Sequence, residues 1–134
     1  MDAIGIIACG IIAGLAGAVL MNLFLRWVGT SFEEPVNMVR VLGSFVTGSR
    51  ETGELAGTIM HLVFGVVFGI MYAWVLVLIG AAAFPNSLFA GLGMGFAHGL
   101  LSSYAMMFVM DEKHPIGKYR NATFSIGLLY LIAH

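Results

Sequence analysis

Charged side chains are what this sequence has least of, with six basic and seven acidic residues among 134 and a net charge of −1. A soluble domain of average composition is about 25% charged. This chain is 10% charged and 60% apolar, with a mean hydropathy of +0.97. So apolar a chain is not disordered, and it lacks the basic footprint of a nucleic-acid binder. It also has too little polar surface to cover a water-soluble globule. A single cysteine excludes an intrachain disulfide framework and a cysteine-rich zinc site. No Ser-His-Asp set, phosphate-cradling loop or H-E-x-x-H stretch is present, which points away from an enzyme. What remains is an integral membrane protein whose first partner is the lipid bilayer.

The few charges are confined. They fall at Asp2, between Arg26 and Glu54, and between Asp111 and Arg120, leaving Leu55 to Met110 with none. Crossing a hydrocarbon layer about 30 Å thick takes about 20 apolar residues at about 1.5 Å each. Residues 3–28 supply one span. The uncharged run supplies two more, 55–79 and 87–110. They are separated by Gly80-Ala-Ala-Ala-Phe-Pro-Asn-Ser, where Pro85 disfavours helix at Phe84 and Asn86 or Ser87 caps the next helix. A fourth apolar segment, 122–134, reaches about 20 Å as a helix, too short to cross. Leu-Tyr-Leu-Ile-Ala-His carries no stop signal, so the natural chain is expected to continue. The fold class expected is all-α: a multi-pass transmembrane helix bundle of three full spans plus a short or truncated fourth, in one domain.

Basic residues orient such a bundle. Arg26, Arg40, Arg50, Lys113, Lys118 and Arg120 all fall on one side, which puts loops 29–54 and 111–121 in the cytoplasm and the N-terminus outside. The first span lacks a basic n-region and does not read as a cleavable signal peptide. In the first loop, Glu33-Glu34-Pro35 reads as a helix start. Val36, Val39, Leu42 and Val46 then recur at helical spacing. They predict a short helix that ends near Gly48 and lies in the interface or packs on the bundle. In the second loop, Asp111-Glu-Lys-His114-Pro115 reads as a solvated connection.

Glycine, by contrast, is plentiful, with 18 in all. Gly10, Gly14 and Gly17 share one face of the first span with Met21. In the second, Gly57, His61, Gly65 and Gly69 step by four, with Tyr72 returning beneath His61. In the third, Gly91, Gly95, His98 and Ser102 repeat the offsets of the first, and Gly99 joins the packing set. Small-residue faces let helix backbones approach closely, which matters in lipid because apolar surface gives no driving force between helices there. Three such helices predict a compact bundle. The function they suggest is that of a non-enzymatic subunit packed against other integral membrane subunits or copies of itself. The shared offsets also fit two hairpins in parallel repeat, an arrangement some solute carriers use. Intramembrane acids are missing, which speaks against a proton-coupled carrier or a cation channel.

The stretch Gly10-Ile-Ile-Ala-Gly-Leu-Ala-Gly-Ala-Val-Leu-Met21-Asn22, followed by His61-Leu-Val-Phe-Gly65-Val-Val-Phe-Gly69-Ile-Met-Tyr72, resembles small prokaryotic four-helix membrane proteins of uncharacterised families. The resemblance implies a multi-pass protein of a prokaryotic plasma (inner) membrane, and no activity. It also implies a second His-x-x-x-Gly helix near the end of the bundle, a motif that would begin at His134.

Histidine gives the chain its candidate sites. His61 and His98 fall within the hydrocarbon region, as does His134, and an ionisable group there must find a partner inside the bundle. Counted from the cytoplasmic ends of their helices, His98 matches His134 in depth better than it matches His61. One expectation is structural: each imidazole bonds a carbonyl or a polar side chain among Ser102, Ser103, Tyr72, Asn22 and Tyr130. The other is cofactor binding, with His98 and His134 or His61 ligating haem or another metal-centred ring such as a pigment. Met106, Met107 and Met110 cluster as soft ligands for Cu(I) or as packing filler, and filler is the expectation. Cys9 lies too far along the bundle to join them.

Overall fold

The computed structural model describes residues 2–29, 37–110, 114–120 and 123–134. Five α-helices follow one another: α1 (Ala3–Gly29), α2 (Met38–Thr47), α3 (Arg50–Leu78), α4 (Asn86–Val109) and α5 (Phe124–Ala133). A single 3-10 turn at Gly117–Tyr119 precedes α5, and the described residues form no strand. The all-α class is as the sequence implied. Helices α1, α3 and α4 are each long and apolar enough to cross a membrane. The ten residues of α5 extend about 15 Å.

Local side chains set most helix starts by accepting an otherwise orphaned backbone N–H. Asp2 Oδ1 accepts from Gly5 N–H at 2.9 Å, Asn37 Oδ1 from Arg40 N–H at 2.9 Å and Ser49 Oγ from Glu51 N–H at 3.3 Å. The Ser49 cap starts α3 more than a turn before Leu55, so Glu51 and Glu54 ride on the end of a spanning helix. Helix α4 departs from expectation. Pro85 occupies its cap position, and neither Asn86 nor Ser87 caps it. The turn itself supplies the acceptors: Ser87 N–H donates to Ala83 O at 2.9 Å and Leu88 N–H to Pro85 O at 3.0 Å. The expected α2 start at Glu33-Glu34-Pro35 lies outside the described residues. Its end is where the sequence put it, at Gly48, whose φ of +67° is the left-handed conformation that glycine adopts most readily.

Packing follows the glycines, though not all of them. Helices α1 and α3 cross backbone to backbone at Gly10, Gly14, Gly65 and Gly69. A methyl on Gly10 would stand 2.6 Å from Ile70 Cα, and one on Gly65 2.8 Å from Gly14 O. Gly17 takes no part, since nothing lies within 4 Å of where its Cβ would be. A second close crossing seats α2 on the first turns of α3. Gly43 lies against Gly53 and Gly57, and a methyl on Gly53 would reach Ser44 Cα at 2.9 Å. Gly57 therefore docks α2 rather than a spanning helix. This crossing also decides which side of α2 lies down. Its covered residues are Met38, Val39, Val41, Gly43 and Ser44, whereas Val46 of the expected stripe is 62% exposed. Helix α2 is thus packed on the bundle, with Val46 outward.

The largest buried cluster gathers at the end carrying the described basic residues. It comprises Met21 and Leu25 of α1, Met38 and Val41 of α2, Met106 and Met110 of α4, Tyr119, and Ile126 and Tyr130 of α5. Four of its members are methionines, whose unbranched side chains fill the irregular gap where five segments converge. The Tyr130 hydroxyl, wholly buried, donates to Met110 Sδ at 3.8 Å. Helix α5 lies along α4, with Gly99 under Leu131 and His134 and Gly127 under Met107.

The α1–α3 crossing makes a direct prediction. Gly14→Ala drives a methyl into the Gly65 carbonyl and should destabilise the bundle by about 1–3 kcal/mol. Gly17→Ala meets open space and should be neutral or slightly stabilising. Reversible unfolding in a mixed-detergent titration measures both, and equal midpoints would refute the crossing.

Candidate functional site

Two polar centres stand out, one at each depth of the bundle. At the basic end, Glu54 ties three helices together. Its Oε1 accepts from Arg26 Nη2 of α1 at 2.6 Å, and its Oε2 accepts from Arg40 of α2, through Nε at 3.2 Å and more closely through Nη2. The hydrogen bond to Glu54 raises the Arg40 pKa above its ordinary value, so this guanidinium stays charged. All three side chains are partly exposed, so each pair contributes little to stability and the network mainly fixes relative helix positions. Nearby, the Arg50 guanidinium lies 5.8 Å from the centre of the Tyr119 ring, within cation–π range.

His114 corrects the reading of its loop as solvated. It is completely buried, with its ring edge-on to Tyr119 at 5.2 Å between centroids and tilted against Phe45 at 5.7 Å. Its Nδ1 lies 3.0 Å from Ile116 N, and because a backbone N–H can only donate, Nδ1 accepts. The proton therefore sits on Nε2, which donates to Val41 O of α2 at 3.2 Å. Arg120 Nε closes the turn on His114 O at 2.7 Å. Val41 lies in α2 and His114 is 73 positions further along the chain, so no local pattern signals the contact. Asp111, Glu112 and Lys113 lie outside the described residues.

The second centre is inside the membrane-length region. Tyr72 of α3 and His98 of α4 share a hydrogen bond, with 2.7 Å between the hydroxyl oxygen and Nδ1. The His98 ring stands edge-on to Phe68, 4.4 Å between centroids. His134 comes beside it, with ring centroids 5.3 Å apart and planes inclined by 36°. His134 Nδ1 lies 2.7 Å from Tyr130 O, one turn back on α5. A carbonyl only accepts, so Nδ1 carries the proton and Nε2 keeps a bare lone pair. The structure thus brings His98 and His134 together, as their depths suggested.

His61 joins neither ring by contact or hydrogen bond. It faces α1 near the Ala18 carbonyl, its Nε2 buried and without a hydrogen-bond partner, though within electrostatic range of both other histidines. Of the proposed polar partners, Tyr72 offers its hydroxyl and Tyr130 its backbone carbonyl. Ser103 Oγ is buried without a partner. Among the described residues, no three His, Cys, Asp or Glu side chains gather closely enough to enclose a metal ion. Beyond His134, an open groove of about 400 Å³ continues along α4, floored by Ser87, Gly91 and Gly95 and flanked by Leu131 and His134. Among the described residues, nothing lies within 4 Å of the missing Cβ of Gly91, and that of Gly95 meets His134 O at 3.3 Å.

These features define an all-helical protein with three membrane-length helices, a polar, packed basic end and a histidine pair at depth. No protein-family model, curated protein or solved structure matches the chain.

Two substitutions separate the centres. Tyr72→Phe removes the α3–α4 hydrogen bond and should cost about 0.6–2 kcal/mol, a typical value between membrane helices. His114→Ala removes the acceptor of the Ile116 N–H and one donor to the Val41 carbonyl, which Ser44 Oγ still serves, and should cost about 1–3 kcal/mol, whereas Lys118→Ala should be silent. Equal unfolding midpoints for the two alanine variants would contradict the buried pin.

Proposed function

We propose that this protein is a non-enzymatic, multi-pass subunit of a prokaryotic plasma membrane, associating through the groove face of α4 with a transmembrane helix of a larger complex. Both basic loops lie in the cytoplasm in this reading, and Arg26, Arg40, Arg50, Lys118 and Arg120 all sit at one end of the bundle in keeping with it.

One observation carries the proposal: the two glycine faces are used differently. Gly10, Gly14, Gly65 and Gly69 are consumed in holding α1 to α3, and Gly43, Gly53 and Gly57 in holding α2. Ser87, Gly91 and Gly95 repeat the same four-residue step on α4, where among the described residues only the end of α5 comes near, at Gly95, and no helix crosses at Gly91. In lipid such a face offers close backbone approach, the main source of helix–helix cohesion there. Gly in a helix interior costs about 0.8–1 kcal/mol relative to Ala, a cost offset when a neighbouring helix uses the space.

The test is Gly91→Leu in cells that express the full chain with an affinity tag. The variant should retain the wild-type unfolding midpoint, because a Cβ at that position meets open space among the described residues. It should lose the stoichiometric membrane partners that wild-type protein retains in mild detergent. Identical partner sets for both proteins, or a wild-type protein without partners, would defeat the proposal.

A further inference from the structure

The paired imidazoles allow a step beyond assembly, and one that does not depend on it. We infer that His98 and His134 form a two-histidine chelate for a divalent late transition-metal ion of the zinc type, binding through their Nε2 atoms.

The argument is geometric. A metal–nitrogen bond of about 2.0–2.1 Å plus about 1.1 Å to the ring centre puts each centroid about 3.2 Å from the ion. At a tetrahedral angle, the two centroids then lie about 5.2 Å apart, and for a trans pair on opposite sides of one ion about 6.4 Å. The observed separation is 5.3 Å. The rings are thus spaced as adjacent corners of a tetrahedron, not as opposed axial ligands of a haem.

The surroundings agree. Metal-binding histidines nearly always donate the second ring N–H to a carbonyl or another fixed acceptor, which sets the tautomer and aims the free nitrogen. His134 does so to Tyr130 O, and His98 is tied through the same atom to the Tyr72 hydroxyl. The ties come from α3 and α5, so the pair is held from both sides. Neutral imidazole suits zinc-type ions. Among the described residues no third ligand stands close enough, so the other positions belong to exogenous ligands. An anion among them balances the charge, since the spans beyond Glu54 supply no carboxylate.

Co2+ is the probe, because tetrahedral Co2+ absorbs visibly where octahedral Co2+ barely does. Purified full-length protein in detergent, titrated with Co2+ and chloride, should develop that band with one equivalent per chain and lose it on addition of Zn2+. His98→Gln and His134→Gln should each abolish the band, and His61→Gln should retain it. Tyr72→Phe, which keeps both ligands, should weaken binding about 10–100-fold. The inference is overturned if the wild-type protein gives no band, if the band survives in the His98→Gln/His134→Gln double variant, or if Tyr72→Phe binds as wild type. A Soret band from haem co-purifying on the same two histidines would equally overturn it, in favour of a ring-bound metal.

Discussion

Everything in this bundle depends on backbones touching. Between helices in lipid, burial of apolar surface gives no net drive, and cohesion comes from van der Waals contact and a few hydrogen bonds. Dispersion falls steeply with separation, so helices must come close for it to count. Side chains would hold α1 and α3 apart, and Gly10, Gly14, Gly65 and Gly69 remove that obstacle. The same device, moved to Gly43, Gly53 and Gly57, presses α2 onto the start of α3. Once α2 is seated, Val41 and Met38 are presented to α4 and α5, and the buried cluster closes around them.

The two ends of the molecule therefore work by different physics. Towards water, polar groups do the positioning: Glu54 joins three helices, His114 ties one loop to another, and Arg50 lies over Tyr119. These bonds would be expendable individually at an exposed surface, but His114 is sealed from solvent, where an unmatched polar atom is costly. Away from that end, α4 is held by its contact with α5 and by the Tyr72–His98 hydrogen bond. The outer half of α4 shows its small residues to the groove.

The histidines illustrate what pattern alone conveys. Depth counted from helix ends paired His98 with His134, because in a helix of fixed rise the count is a height. That reasoning works for straight spanning elements and fails for loops. His114 looked solvated in Asp111-Glu-Lys-His114-Pro115, because nothing in those residues indicates that His114 reaches Val41 of α2. The stripe on α2 held in part: Val39 is buried and Leu42 packs against the cluster, but Val46 faces outward, because Gly43, invisible to a hydrophobic count, sets which arc meets α3. Likewise Gly17 and Gly14 look like neighbours on a helical wheel, yet α3 follows the row Gly10, Gly14 and Ala18, whose side chain Gly65 touches, and Gly17 turns away from it.

By itself the sequence determined the medium, the class and the number of membrane-length helices. Each of these rests on a one-dimensional quantity: how few charges there are, where they fall and how far apolar runs extend at a fixed rise per residue. Tertiary structure alone decided which glycines bear a neighbouring backbone, which end of the bundle carries the buried cluster and which face of α4 stays open. It also decided that a loop histidine is buried and that the rings of His98 and His134 lie side by side. Those outcomes turn on where helices cross and at what angle, and crossing points are fixed by contacts between residues far apart in the chain.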